Sequence, residues 1–410
     1  MFRLPFLFMA TGMAAFAVFH AIGLAMWARW PAAPARTPDG WFYAHLFVLG
    51  WATMIATGAM YQLLRVILQK EYTNRRLGYV QYAVFVAGLA ALLAGFALGD
   101  VGWIASGAAA AWCGVVLFAG NVGSALVRAR RWEPVTLGAA AAVGYLVLTG
   151  ALGLAMGADF AFGFWPQGHE RLFRAHVWLG SVGWFGVLIT AFSFKLLPMF
   201  HLSHAKTAKL EYAVFALWNA AALVGAAAFL AGSPRAGVGV ALVVLTTAAV
   251  VYNVYVSVVR RHRHKRSPGA GITAAVCASR ALGAVAVGAC AWLWFVPERA
   301  GAETAVLAAT WAYLGGWVGT NVLGYFSKIL PFLWWTHKYG PRVGRERVPT
   351  MAELLPDREY AGWLAVSAVN VFLLSAFVGA GVPAVGAWAG ALWSAASLGY
   401  AFRLALVLKR

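Results

Sequence analysis

Charge is what this sequence has least of. Asp and Glu together number 13 in 410 residues, and charged residues make up 11% of the chain, against about 25% in a soluble globular domain. So few charges cannot cover a water-facing surface, which excludes an ordinary soluble fold. No Asp or Glu falls at the centre of any apolar run. Proton-coupled transporters ordinarily carry such a carboxylate in the membrane, so that class is disfavoured. Cysteine is scarce as well. Cys113, Cys277 and Cys290 sit singly inside apolar runs, with no CxxC and no paired framework. A disulfide-stapled fold is therefore excluded, and the three are expected to be buried packing residues. The short alternating segments of an outer-membrane barrel are also missing.

What the chain does have is long uncharged runs, and a membrane-crossing helix needs about 20 apolar residues. Twelve such spans are expected, at about 4–30, 43–68, 79–98, 102–127, 135–158, 172–200, 209–231, 236–259, 271–296, 304–333, 360–380 and 383–406. In hydrocarbon every backbone N–H and C=O must be paired within its own segment, so each span should be helical. The first run, Leu4 to Trp27, precedes a faint cleavage-like Ala33-Pro34-Ala35. It exceeds the 7–15 residues of a signal h-region and is read as a retained span. Basic residues divide unevenly between alternate loops. One set carries Arg75, Arg76, Arg128, Arg130, Arg131, Lys206, Lys209, the run Arg260 to Arg266, Lys338, Arg342, Arg345 and Arg347; the other holds Arg29, Arg36, Arg171, Arg174, Arg235 and Arg299. By the positive-inside rule the expected placement is a cell inner (cytoplasmic) membrane, multi-pass, with both termini cytoplasmic. The basic runs are short and lie between spans, so no nucleic-acid partner is expected; the lipid bilayer is.

A repeat organises the chain. Residues 175–204, AHVWLGSVGWFGVLITAFSFKLLPMFHLSH, contain Gly183-Trp184 and end on Lys195-Leu196-Leu197-Pro198. Upstream stand Gly50-Trp51 and Gln62-Leu63-Leu64-Arg65; downstream stand Gly316-Trp317 and Lys328-Ile329-Leu330-Pro331. Trp51, Trp184 and Trp317 are spaced 133 residues apart, and so are Gln62, Lys195 and Lys328. A constant period marks an internal structural repeat. The expected fold is therefore an all-α polytopic membrane protein, a single transmembrane domain over 1–410. Its twelve transmembrane helices form three pseudo-symmetric four-helix arcs, with repeats of about 1–133, 134–266 and 267–410. Spans 2, 6 and 10 line the centre. Pro198 and Pro331 lack an N–H and should end or kink their helices.

Ionisable groups within a bilayer are costly and tend to be functional. Here they are His20, His45 and His176, with Lys195 and Lys328 near the basic-loop ends. Neutral imidazole is the commonest metal ligand and a haem axial ligand, and Trp41, Phe42, Trp51, Trp178 and Trp184 could line a flat cofactor. The alternative is an interfacial histidine bonded to backbone or water. His201 and His204 form an H-x-x-H that could grip a metal from one helix face; with no third ligand in view, a solvated helix end is the stronger reading. His262 and His264 lie in the basic run and should be exposed. The lysines are read as snorkelling to the interface.

Span 2, with His45 and then Tyr61-Gln62-Leu63-Leu64, resembles the second helix of haem-copper oxidase catalytic subunits, a superfamily that includes the nitric oxide reductases. Span 6, with His176, Gly180, Gly183, His201 and His204, is similar to the NnrS family of membrane proteins linked to haem, copper and nitric oxide. The resemblance implies twelve spans in three arcs, a b-type haem, and His45 at the low-spin haem ligand position. His176 falls on the helix that supplies a copper ligand in the oxidases. Spans 7 and 10 contain no histidine, so the binuclear-centre set is incomplete and copper lacks full ligation. The second haem ligand is then His20 or His176. The implied function is electron transfer or small-gas (nitric oxide or oxygen) chemistry or sensing, as an oxidoreductase or otherwise, with a redox partner protein or quinol. The alternative is a haem-free carrier or assembly partner that keeps the fold.

Overall fold

The structure, a computed structural model, describes residues 2–29, 36–69, 73–165, 167–232, 234–295 and 303–410. Ala33-Pro34-Ala35 and Arg299 lie outside these residues. The long helices are α1 (Arg3–Met26), α2 (Pro38–Leu68), α3 (Arg75–Leu98), α4 (Val101–Ala129), α5 (Pro134–Phe162), α6 (His169–His201), α7 (Ala208–Leu230), α8 (Arg235–Arg261) and α9 (Ala270–Phe295). Then come α10, α11 (Asp357–Gly379) and α12 (Pro383–Ala405). Helix α10 runs end to end through Glu303–Thr310, Trp311–Gly319 and Thr320–Lys338. Among the described residues, eleven of these helices, all but α10, are long and apolar enough to cross a membrane. The chain is an all-α membrane protein.

The helix ends follow local chemistry. Thr37 accepts a hydrogen bond from the Gly40 N–H, and Pro38 takes the first helical position, so α2 starts there. Asn74 and Asp100 cap α3 and α4 through the Leu77 and Trp103 N–H groups. Helices α3 and α4 pack with backbones nearly touching: a Cβ on Gly88 would overlap the Ala111 backbone, a close approach that small residues permit.

Helices α2 and α6 are the most enclosed. In their apolar windows 83% and 78% of residues are buried, against 39% or less in the other nine. Those two therefore meet protein, while the others turn one face outward to lipid. The remaining helices form a closed ring: α1 packs on α12 as well as on α2, α8 on α9, and α9 on α11. The central helices meet one another directly. Trp184 Nε1 on α6 donates to Thr53 Oγ1 on α2 at 3.2 Å. A Cβ on Gly319 of α10 would lie 3.5 Å from the Trp51 ring of α2, and one on Gly186 of α6 would lie 2.6 Å from the Tyr313 hydroxyl of α10. Thr53, Gly186 and Gly319 are themselves 133 residues apart.

Each of the three central helices contains a π-helical stretch: Leu46–Thr53, Leu179–Gly186 and Trp311–Gly319. Such stretches are rare and frequently mark functional sites. The repeat tryptophans Trp51, Trp184 and Trp317 all lie inside them and are all buried.

Pro198 and Pro331 both stand inside their helices, which run on to His201 and Lys338, because neighbouring segments of a packed bundle tolerate the lost N–H. One expectation is corrected. Cys113 and Cys277 are exposed and Cys290 is half-buried. In a bilayer the outer face of a helix is as apolar as its core face, so an apolar run does not say which way a cysteine points.

Candidate functional site

His45 and His176 come together. Their ring centres are 6.2 Å apart with planes inclined at 30°, although the two residues are 131 positions apart in the chain. Each lies seven residues inside its helix, counting from Pro38 and His169, or roughly 10 Å at 1.5 Å per residue. The start of α6 is pinned by α5. Asp159 accepts from the Trp165 N–H, and its other oxygen faces His169 Nδ1 at 2.8 Å. Arg36, before α2, pairs with Glu170 in the first turn of α6. The two helix entries are thereby held side by side, and the histidines at equal depth follow.

The tautomers follow from geometry. His45 Nδ1 is 2.7 Å from the Trp41 carbonyl oxygen, and His176 Nδ1 is 2.8 Å from the Thr149 carbonyl oxygen. A carbonyl only accepts, so both Nδ1 atoms carry hydrogen and both Nε2 atoms present a lone pair in the neutral form. Neither Nε2 has a partner among the described residues. The wall is made by Phe96, 5.0 Å from the His45 ring, and by Gly153, where a Cβ would stand 3.1 Å from His176 Cε1. The adjacent Thr149 hydroxyl is buried with no partner among the described residues, a polar atom left over beside the pair.

His20 is elsewhere. It is fully buried between α1 and α12, its Nδ1 3.1 Å from Ser394 Oγ, which also accepts from Trp27 Nε1. The rings of Phe16, Phe19 and Trp393 close on it at 4.3–5.0 Å. Its Nε2 is buried and unpartnered, but no flat macrocycle reaches it without displacing those three rings. The structure thus joins His45 with His176 and separates His20 from both.

At the opposite end, His201 is buried and donates to the Leu197 carbonyl. His204 and His264 are exposed and face each other at 5.6 Å, brought together by a bridge between Ser203 and Arg263. The sequence places these two in different loops and offers no signal that they meet. Lys328 pairs with Asp357 at 3.5 Å, while the repeat-equivalent Lys195 is exposed with no partner among the described residues. The roles of Thr149, Gly153 and Phe96 were likewise not evident, since each serves through backbone, size or ring and not through a reactive group.

Among the described residues no group of three or more His, Cys, Asp or Glu side chains is gathered around a common point. The His45–His176 niche therefore offers two protein donors. A bare zinc or copper ion asks for three or four. A metal that brings its own equatorial ligands asks for two. His45 and His176, with ring centres 6.2 Å apart, are the residues that would hold such a metal. Comparison of the chain with protein-family models finds no match, and comparison with curated proteins finds none either.

Proposed function

We propose that this chain is a haem-binding integral membrane protein of electron transfer, in which His45 and His176 would hold the haem. The observation that carries the reading is the meeting of the two histidines with both Nδ1–H groups spoken for by backbone carbonyls. Such outer partners fix the ring orientation and raise the basicity of the ligating nitrogen. Trp41 and Thr149 supply these carbonyls, Gly153 keeps the wall open, and Phe96 excludes water from one side. A b-type haem held there would supply one-electron chemistry. Both histidines would be engaged in holding such a haem, which favours electron transfer over nitric oxide or oxygen chemistry. Electrons would be exchanged with a protein partner or a quinol. Copper has no ligand set of its own.

The wider architecture belongs to the same proposal: twelve spans in three four-helix arcs, repeats of about 133 residues, and an inner-membrane placement with both termini cytoplasmic. The three π-helical stretches at equivalent positions support the repeat. The contact of Phe2 with His337, and of Arg410 with Glu359, supports a common side for the two ends of the chain. The decisive measurement is an absorbance spectrum of the purified, dithionite-reduced protein. Sharp α and Soret bands, with a pyridine haemochrome of the b type, are expected. A featureless spectrum from protein expressed with haem available would overturn the reading and return the haem-free carrier or assembly role.

A further inference from the structure

A groove on the outside of the bundle has no part in this site. It lies between α1, α10 and α12 and encloses about 440 Å³. Small side chains open it: Ala10, Ala14 and Ala17 on α1, and Ala401 and Ala405 on α12, with Leu330 of α10 at its floor. No polar side chain lines it, and Ala10, Ala14 and Ala405 are exposed, so it opens sideways to the surrounding medium. From Phe6 to Ala17 it follows eleven residues of α1, or roughly 16 Å. That is close to the depth of one leaflet, about half of a 30 Å hydrocarbon core.

One end of the groove is cationic. Arg3 stands one turn before Phe6 on the same face of α1, and Lys409 follows Leu408 in the short 3₁₀ turn after α12. Both are exposed, and neither has a partner among the described residues. Arg410, next to Lys409, is already committed to Glu359. Hydrocarbon along one leaflet depth with two uncommitted cations at the interface is the complement of a lipid with an acyl chain and an anionic head.

We propose that this groove is a binding site for one anionic phospholipid, its acyl chain along Ala10, Ala14 and Ala401 and its phosphate between Arg3 and Lys409. Met9 and Met13 line the same wall, and their flexible side chains adapt to a chain of variable kink. A quinone tail would suit the apolar part but has no charge for the cations to meet.

The test is native mass spectrometry of the whole chain titrated with phosphatidylglycerol and with phosphatidylcholine of identical acyl chains. One phosphatidylglycerol should be retained per chain, with a preference of about thirtyfold over phosphatidylcholine, as two interfacial cations imply. Arg3→Gln with Lys409→Gln should abolish the preference. Ala14→Phe, at an exposed position where folding is not at stake, should reduce retention of both lipids. Equal retention of the two lipids by the unaltered chain would overturn the proposal. So would full retention by Ala14→Phe, recovery of a quinone in place of the phospholipid, or occupation of this face by a second copy of the chain.

Discussion

Two polar clusters lie inside the bundle, and they are finished to different degrees. The first is His45 and His176 between α2 and α6. The second joins α6, α8 and α10: Ser193 Oγ donates to the Ile189 carbonyl at 2.7 Å, lies 2.9 Å from the Tyr325 hydroxyl and accepts from Tyr252 at 2.8 Å, while Tyr255 donates to the Ser193 carbonyl at 3.1 Å. In the Ser193 cluster each hydroxyl has a partner within the protein. A closed network of this kind rigidifies a core. In the histidine cluster half of each ring is satisfied and the other half is held ready. His45 and His176 are half-buried, so their two unpartnered lone-pair nitrogens stand open and can take a ligand, whereas the closed network of buried hydroxyls serves stability.

The largest expected effect separates the two clusters outright. His45→Ala and His176→Ala should each abolish the reduced haem spectrum or convert it to a high-spin form, because a strong-field axial ligand is lost. His262→Ala, in the exposed basic run, should leave it intact. His20→Ala should also retain the bands. If His20→Ala alone reproduces the His45→Ala spectrum, the pairing with His176 is wrong and His20 is the second ligand.

Ser193→Ala tests the other side of the comparison. It leaves two buried tyrosine hydroxyls without their shared partner and should destabilise the chain by about 2 kcal/mol, read as a lowered unfolding midpoint in detergent followed by far-ultraviolet circular dichroism. The haem spectrum of the folded protein should not move. A change in the spectrum without a change in midpoint would mean that the two clusters are coupled.

The same contrast explains what could be read from the sequence. The spans were legible, because bilayer thickness dictates run length: the expected 236–259 is Arg235–Arg261, and the expected 79–98 lies within Arg75–Leu98. The enclosure of α2 and α6 was legible from the repeat. The site itself was half legible. His45 and His176 stand out as ionisable residues in apolar runs, but they do not occupy equivalent repeat positions; the residue 133 after His45 is Trp178. Their meeting depends on how α2 faces α6 and on the Asp159 and Arg36 links at the helix entries, which are tertiary facts. The π-helical stretches and the orientation of the cysteines were not legible, since Gly-Trp runs and apolar faces look alike in either geometry.

The repeat tryptophans give a finer comparison. Trp184 Nε1 donates to Thr53, and Trp317 Nε1 donates to Ser279 Oγ at 3.0 Å, whereas Trp51 Nε1 is buried with no partner among the described residues. Replacement by Phe removes similar ring contacts at each position but a hydrogen bond at two of them. Trp184→Phe and Trp317→Phe should therefore cost about 1 kcal/mol more than Trp51→Phe, the net worth of one such bond. Equal losses at all three would show that packing alone sets the cost and that the three positions are energetically alike.

The smallest expected difference lies between the repeat lysines. Lys328 is 3.5 Å from Asp357, which also accepts from the Ala270 N–H and the Tyr360 hydroxyl, so the pair links α10 to the starts of α9 and α11. Both partners are partly exposed, at 25% and 44% of the side-chain surface, and water and salt screen much of the attraction. A pair of this kind contributes on the order of 0.5 kcal/mol. Lys195, on the equivalent turn of α6, has no carboxylate partner among the described residues. Lys328→Gln should lower the unfolding midpoint slightly, and the loss should shrink when the ionic strength is raised from ~0.01 M to ~1 M, where the Debye length falls to about 3 Å. Lys195→Gln should lie within about 0.5 kcal/mol of the unaltered chain at both salt concentrations. If the two variants behave alike at low salt, the ion pair is not what distinguishes the two helix ends, and the Ala270 and Tyr360 bonds to Asp357 hold α9 and α11 in place without it.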